Sequence, residues 1–256
     1  MKYNKKETKG WWETFFHDPW RDVFLPKEAL LKTREEVDFI QKILELKSRE
    51  KILDIPCGEG RHSVELAKRK FKITGVDFNR KFLDDAQRKS EAKGLKIIWD
   101  CRDMRDLPWR EEFDAAFSFW GSFGYFDDKG NVDFLKAVSL ALKPGAKFLL
   151  DTHVVETLLR KIYQERIWNK PGETLILEEK RYDYGSGRVN TEWTIIRKNK
   201  TIRRLSSIRL YTYKELCDLL KSVGFGSFVG YGSLDGKRFG LESPRLYLTA
   251  VKQPQK

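Results

Sequence analysis

Asp54 and Asp77, with Gly58 and Gly60 between them, carry the chemistry most legible in this chain. Asp54 lies in an apolar run at 52–55, a Cys-Gly-Glu-Gly turn follows at 57–60, and Asp77 ends a second apolar run at 73–76. Glycine lets a backbone come close to a ligand. An acid at the tip of a second strand accepts hydrogen bonds from two ribose hydroxyls. This strand–turn–helix–strand–acid unit suits a nucleoside-type cofactor. The plainer reading is a βα unit with a glycine turn and no ligand.

Local charge separates the cofactor classes. A dinucleotide turn uses Gly-x-Gly-x-x-Gly, with a pyrophosphate facing the helix N-terminus. Here Ser63 holds the last position, and Asp54 and Glu59 would repel a pyrophosphate. S-adenosylmethionine carries a sulfonium, an ammonium and a ribose but no phosphate, so the acidic turn favours it over NAD.

The elements that must position these groups alternate after residue 50, which implies a parallel sheet. Strands are expected near 51–56, 71–76, 95–99, 113–118, 145–151, 226–232 and 245–251, and helices near 61–70, 80–93, 131–142 and 213–223. Asn79 suits a helix N-cap. Lys143-Pro144-Gly145 reads as a helix stop and turn.

Several motifs, in order, resemble those of the class I S-adenosylmethionine-dependent methyltransferases. LDIPCGEGRHS resembles their glycine-rich loop, with Pro56 where the usual pattern has a glycine, and ITGVDFN resembles their second motif. CRDMRDLPW resembles the third-strand motif, FDAAFSFWGSFGYF the fourth strand and its loop, LKPGAKFLLDTH the turn and fifth strand, and LYTYKELCDLLKSVGF the helix that follows. The resemblance implies an α/β, Rossmann-like, seven-stranded and mostly parallel sheet with helices on both faces, its last two strands antiparallel at one edge. It also implies a cofactor site: Asp54, Cys57, Gly58, Gly60 and Arg61 around the first loop, Asp77 and Phe78 at the ribose, and Asp103 and Met104 at the adenine. Phe119 falls at the end of the fourth strand, where its ring also reads as core filling.

Two segments fall outside that core, within what reads as a single domain over 1–256. Residues 1–47 carry GWWETFFHDPWRDVFLP, where Trp11, Trp12, Phe15 and Phe16 would give a helix a broad apolar face, as cover for the sheet or as a lid over an acceptor. A clean amphipathic helix follows at 33–46. Residues 154–210 read as a helix at 154–163 and then three β-rich runs at 174–183, 188–197 and 201–210, forming a small antiparallel insertion. It would roof the site or pair with another subunit. The core comprises 48–153 and 211–256.

The acceptor pocket would be walled by Trp11, Trp12, Trp120, Phe123 and Tyr125. Methyl transfer from a sulfonium asks the protein chiefly to orient and desolvate, so a general base is optional. The candidates are His153, Tyr125 and His17, while His62 more plausibly supports the loop.

The chain has 256 residues and a formal net charge of +12. That basicity allows nucleic-acid binding, but the charges are spread along the chain and no RNA-binding module is recognisable. A small-molecule acceptor is the favoured partner. Three cysteines without metal spacing indicate reduced thiols in a cytoplasmic protein and no metal site. No apolar run is long enough to span a membrane. Monomer and homodimer both stay open. The competing readings are an RNA or tRNA methyltransferase, an NAD-type Rossmann protein, and a binding protein without turnover.

Overall fold

The computed structural model describes residues 10–16, 27–159, 166–170, 173–198 and 200–254, except for the side chains of 27–31. Its elements run α1 (Trp12–Phe15), α2 (Lys27–Leu44), β1 (Lys51–Asp54), α3 (Arg61–Lys68), β2 (Lys72–Asp77), α4 (Arg80–Glu91), β3 (Ile97–Cys101), β4 (Phe113–Ser118), α5 (Asp128–Ala141), β5 (Leu142–Thr152), α6 (Val155–Leu158), β6 (Arg166–Asn169), β7 (Leu175–Asp183), β8 (Arg188–Arg197), β9 (Lys200–Arg209), α7 (Tyr213–Ser222), β10 (Phe225–Tyr231) and β11 (Leu246–Lys252).

Seven strands form one sheet in the order β10-β11-β5-β4-β1-β2-β3. β1 pairs in parallel with both β2 and β4, so the chain order reverses beside β1. That reversal opens a crevice at the strands' carboxyl ends, where ligands bind in such sheets. β11 runs antiparallel to both β5 and β10, closing one edge as expected. Alternate residues of the central strands feed separate cores on the two faces: Leu53 and Val76 enter one, Ile52, Ile73 and Phe117 the other.

Capping chemistry fixes the helices that frame the crevice. Asn79 Oδ1 accepts from the backbone N–H groups of Lys81 (3.1 Å) and Phe82 (3.4 Å), as its position suggests. Thr212 and Glu215 form a reciprocal capping box at α7. The turn expected at 143–145 is absent. α5 ends at Ala141 and β5 starts at Leu142, with Gly145 at φ +80° and a register shift between Phe113 and Ala115 against β5.

The insertion holds four antiparallel strands in the order β6-β7-β8-β9, one more than the three β-rich runs suggest. Of the helix expected at 154–163, α6 forms over four residues, and 160–165 lie outside the described residues. Trp11 and Phe15 pack with Ile176 and Ile195 of this second sheet rather than on the seven-stranded one. Among the described residues, no helix is long and apolar enough to cross a membrane, and no three His, Cys, Asp or Glu residues cluster to hold a metal.

Candidate functional site

The glycine turn is stitched to the tip of β2. Cys57 donates its backbone N–H to Val76 O at 2.8 Å, and Gly58 donates to Asp77 Oδ2 at 2.9 Å. Asn79 donates its backbone N–H to Asp77 Oδ1 at 2.9 Å. Burial pushes Asp77 up to about 6, against the backbone N–H groups that stabilise its charge. A carboxylate offers about four acceptor positions, so acceptor capacity remains on this cavity-lining acid.

The two glycines do different work. Gly58 has φ +55°, lines the cavity and has open space where a Cβ would project. Gly60 has φ +68°, precedes α3, and a Cβ there would sit 2.2 Å from the Trp99 ring. Packing under Trp99, not ligand approach, requires it, and it does not line the cavity. Asp54 is likewise displaced from the role expected of it. It is buried behind the turn, where Ser63 Oγ donates to it at 2.6 Å, and burial pushes it up to about 7. Ser63 thus stands where a dinucleotide turn has glycine because its hydroxyl satisfies a buried acid. Burial pushes the Cys57 thiol up, with Asp54 and Asp77 adding to the effect, so this cavity-lining thiol is unreactive.

At the end of β3, Asp103 and Met104 line the same cavity. The Asp103 carboxylate is gripped by Arg105, with Nε at 3.0 Å and Nη2 at 2.6 Å. Burial works to raise Asp103, but Arg105 outweighs it and holds the acid below its ordinary value. Phe78 and Phe119 also line the cavity, and Phe119 stacks on Tyr247 at 5.6 Å.

A polar network that the motif reading missed joins α2, α3 and the ends of β4 and β5. Glu36 accepts from Arg61, from His62 Nε2 at 2.9 Å and from Trp120 Nε1 at 3.0 Å. Burial works to raise Glu36, but His62 and Arg61 outweigh it and hold the acid at about 2. Burial pushes His62 down to about 4, so it is neutral near pH 7. Arg61 lines the cavity, also donates to Thr33 Oγ1 at 2.9 Å, and lies 4.8 Å from the Trp120 ring centroid. Trp120 donates its backbone N–H to Asp151 Oδ2 at 2.7 Å, and Asp151 is paired with Arg245. A signal for Glu36 was present: it falls in register with Thr33, Val37 and Ile40 on the buried face of α2, where an acid needs a partner.

The far wall of the cavity is aromatic. It encloses about 890 Å³ and is lined by Trp11, Trp12, Phe15, Phe16, Trp120 and Tyr125, together with Trp193, Ser206 and Ile208 from the insertion. The three insertion residues escaped the sequence reading because strand alternation does not say which sheet face meets a site. Trp11 packs edge-on to Tyr125 at 4.8 Å and to Phe15 at 5.0 Å. Phe123 is not part of this wall. It is buried in the core against Tyr211 and Phe134. Burial pushes Tyr125 up to about 12, which leaves it protonated and unfit as a base near neutral pH. His153 lines the cavity with Nε2 3.4 Å from Arg245 Nη1. His17 lies outside the described residues.

Arg188 of β8 holds the loop carrying Tyr125. It donates to the carbonyls of Phe126 (2.9 Å), Tyr125 (3.2 Å) and Gly124 (3.3 Å). Gly124, at φ +94°, approaches β9 so closely that a Cβ would lie 2.3 Å from Arg209 O.

Residues 52–145 match the methyltransferase domain family. A protein named as a methyltransferase from Geobacillus sp. (strain WCH70) is 32% identical over 142 residues, covering 54% of this chain and 57% of its own length. The ubiquinone biosynthesis O-methyltransferase of Coxiella burnetii is 25% identical over 147 residues, 57% of this chain and 62% of the relative. The chain therefore spans little more than half the length of these curated relatives. An S-adenosylmethionine-dependent methyltransferase structure from Clostridium acetobutylicum superposes with a TM-score of 0.78 at 21% identity, covering 95% of this chain and 99% of that one. Residues 52–145 are thus a methyltransferase domain, and the chain has the class I, Rossmann-like fold of the S-adenosylmethionine-dependent methyltransferases.

Proposed function

We propose that the protein transfers a methyl group from S-adenosylmethionine to a small-molecule acceptor enclosed beneath α1 and the β insertion. The observation that carries this reading is one cavity that reaches from the buried Asp77 carboxylate and the open Gly58 backbone to an aromatic wall built by separate elements.

The donor set suits the cofactor. Asp77 would accept from the ribose hydroxyls, Gly58 leaves the backbone open beside it, and Phe78 and Met104 would flank the base. Asp103 would meet the adenine edge from within its Arg105 clamp. Glu59 of the turn is paired with Lys89, whose Nζ donates to it at 2.6 Å. When bound, the cofactor supplies an electrophilic methyl carbon on a positively charged sulfur. The chain's own part is to exclude water, hold the acceptor in line and keep aromatic faces near positive charge. Well-oriented reactants gain roughly 7–11 kcal/mol over a bimolecular encounter; an amine that arrives neutral then requires no general base, whereas a hydroxyl or carbon acid must hand its proton to one. Of the candidate bases, His153 lines the cavity beside Arg245.

The size of the cavity and its roof favour a small acceptor over a polymer, and the Coxiella burnetii relative is named as a ubiquinone biosynthesis O-methyltransferase. Incubation with methyl-labelled S-adenosylmethionine and two pools, a small-molecule extract and bulk tRNA, tests this. Label is expected in the small-molecule pool. Label confined to the tRNA would overturn the acceptor class.

A further inference from the structure

We propose, resting on that reading, that the acceptor is a planar aromatic anion whose charged oxygen is held by the open edge of the Arg245 guanidinium. Topology delivers Arg245 to the crevice. β11 runs antiparallel to β5, with Leu246 opposite Thr152. The residue before β11 therefore meets the carboxyl end of β5, on the side of the sheet where ligands bind. Arg245 lines the cavity there with Trp120, Gly121, Ser122 and His153. Burial pushes the Tyr125 hydroxyl up, and the Arg245 charge pulls it the other way, so the guanidinium and the ring wall share one end of the cavity.

One edge of the guanidinium is spent and the other is not. Nε donates to Asp151 Oδ1, while Asp151 Oδ2 accepts from the Trp120 backbone N–H at 2.7 Å. Nη1 has one contact, with His153 Nε2 at 3.4 Å. Nη2 stands beside Gly121, 2.9 Å from where a Cβ would project, and Gly121 at φ +75° leaves that space open. Nη2 makes no hydrogen bond among the described residues, yet it stays reachable by water on a side chain that is 25% accessible. A guanidinium carries five N–H donors in a fixed fork, and charged oxygens are its strongest partners.

The neighbouring charges select the sign of the ligand. Asp151 is committed on both oxygens, and Asp103 is gripped by Arg105. A cationic acceptor would gain from the ring faces, but it would face Arg245 and the cofactor's positive sulfur with neither of these carboxylates open to it. A neutral hydrocarbon would strip water from the Nη edge and give it no partner, which is costly. An anion sets one negative charge beside two positive ones. Its planar body would pack against rings such as Trp12, Tyr125 and Trp193, which reward flat apolar surface.

Equilibrium dialysis at pH 7.5 tests the proposal with 2-naphthoate, its neutral amide and the cation 2-naphthylmethylammonium, against protein saturated with S-adenosylhomocysteine. The expected order is 2-naphthoate tightest, the amide weaker and the cation last. Arg245→Gln combined with Asp151→Asn removes the pair together and strands no buried acid. It should weaken 2-naphthoate about tenfold to a hundredfold, in line with one lost charged hydrogen bond, and change the amide by less than about threefold. Lys72→Gln, at the amino end of β2 and away from the crevice, should change neither. An amide that binds the wild-type protein as tightly as 2-naphthoate would overturn the proposal. So would an equal loss of 2-naphthoate from Lys72→Gln, because binding would then follow net charge alone. Should the double variant not melt cooperatively, Arg245→Lys replaces the fork by a point charge and should weaken 2-naphthoate while sparing the amide; both probes weakened alike would count against the site. If S-adenosylhomocysteine itself does not bind, the methyltransferase reading fails. Dialysis without it then still ranks the probes against the cavity.

Discussion

Asp77 is ionised only against the pull of its burial, and that sets a pH dependence for ligand uptake. Ribose hydroxyls donate to the carboxylate but find a poorer partner in the carboxylic acid. With the free-protein value raised to about 6, affinity for S-adenosylhomocysteine should be full above that pH and fall as pH is lowered through it, because the ligand must then displace a proton. Asp77→Asn should flatten the profile. Asp77→Ala should cost about 1.5–3 kcal/mol of cofactor affinity, the range for hydrogen bonds to a charged group, as read by calorimetry at pH 7.5. Asp103→Ala should cost less, since that acid is half-exposed and already held by Arg105. A larger loss than for Asp77→Ala would reverse the ranking. At this scale the sequence was legible where a motif fixes both residue type and strand position, as for Asp77, Gly58 and Met104. It was silent where a role depends on a partner remote in the chain, as with Ser63 under Asp54 or Glu36 under Trp120.

The elements around the acceptor end are coupled through backbone carbonyls rather than through a motif. Arg188 ties β8 to the loop at 124–126, and Gly124 allows β9 to press against that loop. Arg188→Ala should remove a donor from the carbonyls of Gly124, Tyr125, Phe126 and Ser207, of which Gly124 keeps the Arg209 N–H and Phe126 keeps Asn131 Nδ2, and lower stability by about 1–3 kcal/mol. It should also raise KM for the acceptor while leaving the calorimetric Kd for S-adenosylhomocysteine unchanged, since no cofactor group depends on Arg188. A parallel loss of both affinities would mean that the loop supports the whole cavity. The core strands could be read from their apolar runs because both faces of a parallel sheet are buried. The insertion betrayed its strands by alternation, but not β6 or the docking of α1 on it, because a few aromatic residues in a short segment fit either sheet equally well.

Across the whole molecule, the two cores on either face of the seven-stranded sheet fix the spacing of the strand tips. Phe148 is fully buried between Phe134 and Phe225. Phe148→Ala should cost about 3–5 kcal/mol in urea denaturation; a cost below about 1 kcal/mol would mean that the site collapses around the lost ring. The order of the motifs along the chain made the seven strands and the antiparallel edge legible, but the reversal beside β1 is seen only in its pairing with both β2 and β4. The +12 net charge said little about the site, since most of the cavity's charged groups are paired locally. The most direct test of the central claim is calorimetric titration of S-adenosylhomocysteine into protein stripped of carried-over ligand. Saturable uptake that Asp77→Ala weakens and Asp54→Asn weakens less is the result expected, because only Asp77 lines the cavity. No detectable heat with the folded wild-type protein, or uptake indifferent to Asp77, would contradict the account.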